Sequence, residues 1–329
     1  MSALAPTLQA FFTERLATER NASGRTVAAY RDTFRLLLGF MVERTSTAPS
    51  KLELGDLDAP AIGAFLVHLE VDRHNSARTR NARLAAIHSF FRYAALKHPE
   101  HAAAIGRVLA IPNKRFDRAL VSFLTRDEVE ALLTAPDRST WIGRRDHALL
   151  SVAVHTGLRV SELTGLTCGD IQLDTGPHVR CLGKGRRERC TPLTVEGVAI
   201  LRSWLAERAG SPTDALFPSR RGTPLSVDSV QVLVTKYAAA AARRCPSLAA
   251  KNVTPHVLRH SCAMFLRAAN VDLATIALWL GHSNLASVMQ YMHADLAIKE
   301  RALARTAPPS VPPGRYRPPD ALLAWLDGL

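Results

Sequence analysis

The sequence predicts a mainly α-helical fold in two domains, the second of them α-rich with a small antiparallel β-sheet. Three observations predict it. Apolar residues recur at helical spacing through the first hundred positions, a tight Gly-Lys-Gly turn joins two short β-rich segments near residue 184, and helical patterning resumes beyond them. At 329 residues the chain is long enough for two separate cores. Its 47% hydrophobic and 22% charged residues argue against wholesale disorder.

The elements follow in order. In TVAAYRDTFRLLLGFM, Tyr30, Phe34, Leu37, Leu38 and Met41 form one apolar stripe, with Ser23 or Thr26 as the N-cap. In SARTRNARLAAIHSFFRYAALK, Leu84, Ile87, Phe91 and Ala94 share a face, with Arg78 and Arg92 opposite and Arg83 on the rim. That arginine face reads either as a solvated surface or as a contact for DNA phosphates, and the scarcity of acids on the helix favours phosphates. The periodicity then weakens into the basic, proline-containing IPNKRFDR, so residues 1–98 are read as the first domain and 99–122 as a linker.

The second domain, residues 123–305, opens with LTRDEVEALL, where Thr125 and Glu128 have capping-box spacing. A buried helix at DHALLSVAVHTG stops at Gly157, a residue suited to the left-handed turn that ends helices. Strands are expected at IQL, HVRCLG and RRERCTPL, and helices from TVEGVAILRSWLAERA to residue 305. The tail, 306–329, has a proline-rich extended stretch followed by DALLAWLDGL, which can form one short amphipathic helix.

A net charge of +13 points to a polyanionic partner, nucleic acid first and an anionic membrane surface second, against the alternative of a chain that is simply soluble and cationic. No apolar run approaches the ~20 residues that span a bilayer, and Glu and Arg interrupt the N-terminus too early for a signal peptide. The five cysteines are odd in number and lack CxxC spacing. Cys181 and Cys190 flank the expected hairpin, but a turn centred near Lys184 and Gly185 does not set them opposite each other. Reduced thiols in a cytoplasm fit best.

Six residues carry chemistry. Thr254-Pro255 reads as an N-cap followed by proline, which puts His256 and Arg259 in the first turn of a helix, on one face and beside backbone N–H groups that favour phosphate. His256 and His260 also have the spacing of a zinc helix. Arg259 on the same face repels a cation, however, and no acid takes the general-base place, so no metal is expected and His260 is read as packing against or orienting its neighbours. Arg159 follows the stop at Gly157, with Glu162 placed to orient it. Lys184 between glycines is either an ordinary basic hairpin tip or a functional lysine. His282 follows Gly281 in an interhelix turn with Ser283 as the next cap. Tyr291 then lies roughly 12 Å further along a straight helix, so spacing alone does not bring it to His282.

In this order the residues resemble the tyrosine recombinase (phage integrase) family. The resemblance rests on TGLRVSEL, GKGRRER, DALFPSRRGTPLS, HVLRH, LGHSN and the tyrosine of VMQYMH. The stretches SGRTVAAYRDTFRLLLGF and TRNARLAAIHSFFRY are similar to the family's helical, SAM-like core-binding domain. Departures are small: Ser261 replaces a threonine common after Arg-His, and Met289 stands where a small polar residue is frequent.

The resemblance implies a site-specific DNA recombinase serving integration, excision, transposition or replicon resolution. Tyr291 would attack a phosphate to form a 3′-phosphotyrosyl link. Arg159 and Arg259 would hold the non-bridging oxygens, and Lys184 would protonate the leaving 5′-oxygen. His256 would act in acid–base transfer, and His282 would hydrogen-bond the phosphate, with Glu162 and His260 in support. Of the five tyrosines only Tyr291 fits the nucleophile position. Arg78, Arg83, Arg92, Arg186 and Arg187 would touch DNA.

The implied partner is double-stranded DNA, bound by a tetramer of this chain alone or with sister recombinases, with no cofactor and no membrane, in the nucleoid-associated cytoplasm. Two rivals share features of the pattern. A type IB topoisomerase uses the same arginine–lysine–histidine–tyrosine chemistry, and an accessory protein could keep the fold without cleaving DNA.

Overall fold

Caps at Ser23, Thr125 and Thr254 and a left-handed helix stop at Gly157 fall where the sequence places them. The computed structural model describes residues 3–116, 121–183 and 188–281, and the chain falls into two units, residues 1–118 and 119–329. In the first, α1 (Leu4–Ala10) runs directly into a π-helical stretch, Phe11–Glu19, followed by α2 (Gly24–Thr45), α3 (Ala59–Val71), α4 (Ala77–Lys97) and α5 (Ala102–Leu109). Ser23 rather than Thr26 is the cap of α2, its hydroxyl accepting from the Thr26 N–H at 3.2 Å.

A cluster of aromatic rings runs through the largely aliphatic core of this unit. Phe11, Phe34, Phe65, Phe90 and Phe91 are buried, and Phe90 lies edge-on to Phe34 and Phe11 at centroid distances of 5.2 and 5.6 Å. Within the stripe read on α2, Phe34, Leu37 and Met41 are buried, while Tyr30 and Leu38 are half-buried at its margin. On α4, Arg78 and Arg92 are exposed. Arg83 turns inward instead, donating to the Ala29 carbonyl at 3.2 Å and the Thr33 hydroxyl at 3.0 Å, and so ties α4 to α2.

The stretch read as linker from residue 99 is ordered at its start. Pro99–His101 forms a 3-10 turn, and α5 buries Ile105 and Val108 in the first core. The His88 ring on α4 bonds the Val108 carbonyl at 3.1 Å. A short alanine-rich helix with two buried apolar residues is too brief to declare itself by periodicity.

The second unit opens with α6 (Arg126–Leu133), α7 (Trp141–Thr156) and α8 (Val160–Thr164). A three-stranded antiparallel sheet follows in the order β1 (Ile171–Gln172), β2 (His178–Leu182), β3 (Glu188–Pro192). After it come α9 (Val195–Arg208), α10 (Val227–Ala241), α11 (Pro255–Ala268) and α12 (Leu273–Leu280). The register pairs Arg180 with Cys190 and Cys181 with Arg189, so the two cysteines are diagonal, and all five thiols are free. Along β2 the alternation is clean: Val179 and Cys181 are buried, Arg180 and Leu182 exposed. No helix among the described residues is long and apolar enough to cross a membrane.

Two buried ionic ties stiffen this unit. Asp146 accepts from Arg145 at 2.6 Å and from the Tyr237 hydroxyl at 2.8 Å. Glu128 closes the expected capping box with Thr125 and also receives Lys251 at 2.6 Å and Ser247 at 2.6 Å. Burial works against ionisation of Glu128, but the bonds from Lys251, Ser247 and the Thr125 N–H outweigh it and hold the carboxyl below its ordinary value of 4.5. A depressed carboxyl contributes stability above the unfolded-state value and loses it as pH falls through the folded one. Glu128→Gln should therefore cost about 2 kcal/mol near neutral pH. The gap from wild type in urea midpoint should shrink as the pH drops below 4.5, and a gap that stays constant down to acid pH would contradict the assignment.

Candidate active site

The left-handed turn at Gly157 (φ 62°, ψ 26°) ends α7 and sends the chain into α8 with Arg159 at its cap position. Glu162, in the first turn of α8, accepts the Arg159 backbone N–H at 2.7 Å and its guanidinium at 2.8 Å. A second arginine reaches the same carboxylate: Arg189 of β3 donates to both oxygens, at 3.0 and 2.7 Å. Glu162 is only 8% exposed. Burial alone would raise its pKa, but the bonds from Arg189 and Arg159 hold it below the usual carboxylate range.

The two arginines singled out in the sequence meet at the end of α12. Arg159 donates through Nη2 to the Gly281 carbonyl at 2.9 Å. Arg259, 2% exposed on α11, donates to the Leu280 carbonyl and to the Gly157 carbonyl, both at 2.6 Å. Two guanidinium groups thus sit on consecutive carbonyls, at a helix C-terminus whose orphan acceptors and negative dipole end favour cations. With three guanidinium groups and one carboxylate, the cluster carries an excess of positive charge, which suits an anionic substrate.

Thr254 caps α11, accepting from the Val257 N–H at 3.3 Å, with proline in the first turn as expected. His256 in that turn is exposed. Its ring lies 4.2 Å from that of buried His260, the planes at 70°, so His260 packs beneath His256 as an edge-to-face support. Ser261 is fully buried, accepts from the Leu124 N–H at 2.8 Å and donates to the Val257 carbonyl at 2.9 Å. Burial pushes the Cys262 thiol up to about 12, which keeps it protonated and inert beside the arginines.

The structure therefore brings together Arg159, Glu162 and Arg259, and places His256 and His260 on the helix that supplies Arg259. Lys184, Arg186, Arg187, His282 and Tyr291 lie outside the described residues. Lys184 belongs to the connection between β2 and β3, and His282 directly follows Gly281 in sequence. Tyr93 and Tyr237 are buried in helices and Tyr30 is half-buried on α2. Arg189 was not singled out by motif, although one signal pointed to it. It has the same strand parity as buried Thr191, while Glu188 and Cys190 face outward, and an arginine on the inner face of a strand demands an acid.

Residues 122–297 match the profile of the phage integrase family, and residues 10–98 match that of its N-terminal SAM-like domain. The chain belongs to the phage integrase family, the tyrosine recombinases, and is a site-specific recombinase. It is 55% identical over 328 residues to y4rC of Sinorhizobium fredii, a protein named as an integrase/recombinase, covering 100% of this chain and 99% of that one. Tyrosine recombinase XerC of Xanthomonas campestris is 33% identical over 284 residues, 86% of this chain and 83% of that one. Among solved structures, XerH site-specific recombinase bound to a palindromic difH substrate in a post-cleavage complex is similar at a TM-score of 0.68. It is 25% identical, with 87% of this chain and 81% of that one covered. The Tn1549 transposon integrase with circular intermediate DNA shares the fold at a TM-score of 0.69 and 16% identity, covering 93% and 100%.

Gly281 (φ 62°) takes a left-handed conformation, and a Cβ there would lie 2.6 Å from Arg189 Nη1. Gly281→Ala should therefore lower stability by about 1–2 kcal/mol and slow strand cleavage by displacing the carbonyl that Arg159 uses. Gly39→Ala, in open space on α2, should be neutral or slightly stabilising. Equal melting temperatures for the two variants would contradict this account.

Proposed function

We propose that this recombinase binds double-stranded DNA and cuts and rejoins it through a 3′-phosphotyrosyl intermediate, with Tyr291 as the nucleophile. The observation that carries the reading is the seating of Arg159 and Arg259 on the consecutive carbonyls of Leu280 and Gly281. In the first step the Tyr291 oxygen bonds to phosphorus, the bond from phosphorus to the 5′-oxygen breaks, and His256 takes the tyrosine proton. Lys184 gives a proton to the departing 5′-oxygen. Arg159 and Arg259 hold the non-bridging oxygens, where negative charge develops, and His282 adds a hydrogen bond.

Arginine suits the clamp because its planar, permanently charged fork matches phosphate geometry. The carbonyls of Gly157, Leu280 and Gly281 fix the forks before substrate arrives, so no reorganisation is needed during the reaction. The covalent link conserves the phosphodiester energy, so attack by a 5′-hydroxyl of another strand completes exchange without an external energy source. Exposed Arg78 and Arg92, the Arg186–Arg187 pair and the charge of +13 supply non-specific phosphate attraction. Arg83, committed to α2, belongs to that set only through the remainder of its side chain. Free thiols at all five cysteines fit a reducing cytoplasm.

Nicked suicide duplexes made from the DNA flanking the gene test the chemistry directly. Wild type should accumulate a covalent adduct, Tyr291→Phe none, and Arg259→Ala should form it about 100-fold or more slowly. An adduct that persists with Tyr291→Phe would overturn the nucleophile assignment.

The active assembly is proposed to be a tetramer on paired sites. Leu322, Leu323, Trp325 and Leu326 of the tail would bury an apolar face on the neighbouring subunit, reached by a proline-rich tether of up to ~35 Å. Deleting residues 307–329 should abolish higher-order complexes on DNA in a gel-shift assay while leaving single-site binding intact. Unchanged assembly would refute docking in trans.

A further inference from the structure

Few of the described residues next to the β2–β3 turn pack against the protein. Leu182 is 63% exposed, and Glu188 and Cys190 are also exposed. Among the described strand residues nearest the turn, Cys181 and its cross-strand partner Arg189 are the ones whose side chains face the protein. Cys181 contributes apolar packing. Arg189 contributes the directional tie: both Nη atoms bond Glu162 on α8, and its guanidinium packs along Gly281, close enough that no Cβ would fit. The side chain is 12% exposed, and its Nε is buried with no hydrogen-bond partner among the described residues. Arg159 does not depend on this tie, because it has its own bonds to Glu162 and to the Gly281 carbonyl.

We infer that Arg189 is a positioning residue for the general acid: by locking β3 to Glu162 beside Gly281, it sets where the β2–β3 connection presents Lys184 to the leaving 5′-oxygen. The inference rests on the proposed role of Lys184. It distinguishes Arg189 from Arg159 and Arg259 by the step affected. The clamp arginines act on non-bridging oxygens, whereas Arg189 acts only where a proton must reach the leaving group.

A substrate that needs no such proton separates these roles. With a sulfur atom in place of the bridging 5′-oxygen, attack by Tyr291 breaks the phosphorus–sulfur bond. The electron pair then leaves on a 5′-thiolate, whose conjugate acid has a pKa of about 8.5 and so departs unprotonated. On the ordinary suicide duplex, Arg189→Ala should form adduct about 100-fold more slowly than wild type, the scale of an ångström-level misplacement. On the sulfur substrate its rate should return to near that of wild type, as should that of Lys184→Ala, while Arg159→Ala stays slow.

Arg189→Lys keeps the charge but loses the bidentate grip, so it should show a smaller defect with the same recovery, and it carries the test should the alanine variant not fold. Recovery of Lys184→Ala without recovery of either Arg189 variant would overturn the positioning role alone. Failure of Lys184→Ala itself to recover would overturn the general-acid assignment, and the positioning role with it.

Discussion

The carboxylate of Glu162 is the contact on which the site depends. It is buried, an unfavourable place for a charge unless the surroundings answer it. Here they do, with two guanidinium groups and a backbone N–H converging on its two oxygens. Without it, Arg159 and Arg189 would be like charges in a low-dielectric setting. With it, α8, the hairpin and the end of α12 become one arrangement. Arg259 is oriented in another way, by carbonyls at or just beyond the last turns of α7 and α12. These two solutions allow positive charge to be concentrated at one place, with the side chains already fixed.

Much of the scaffold was legible because local chemistry determines it. The Ser23 cap, the Thr125–Glu128 box, the stop at Gly157 and the diagonal offset of Cys181 and Cys190 each follow from a few neighbouring residues. What local pattern did not supply was convergence. The bonds that bring Arg159 to Gly281 and Arg259 to Gly157 span 122 and 102 residues, distances over which spacing carries no geometric information. There the motif order, through resemblance to a family, supplied what periodicity did not. Helix α5 was hidden by its brevity, and Arg83 by the helical wheel, which placed it on a rim without showing that α2 would meet it there.

The departure at Ser261 acquires meaning from the packing. Its hydroxyl joins the Leu124 N–H to the Val257 carbonyl in full burial, pinning the entry of the second unit against the helix that carries His256 and Arg259. The bonds are made by the oxygen, which serine and threonine share, so losing the methyl group leaves the tie in place. The Glu128–Lys251 pair works alongside it, with Lys251 also holding the Phe123 carbonyl at 2.9 Å. The chemistry-bearing helix is thus fastened on the side away from the arginine cluster's own bonds.

Arg259 joins an architectural role to its proposed catalytic one. In the proposed reaction it holds a phosphate oxygen, and in the structure it closes the ends of two helices by donating to the Gly157 and Leu280 carbonyls. With the proposed role in strand cleavage, selection for a folded protein and selection for activity press on the same position. A lineage that had abandoned recombination but still needed this domain would keep arginine here for its architecture. Its presence in a relative is evidence of a shared framework before it is evidence of shared catalysis.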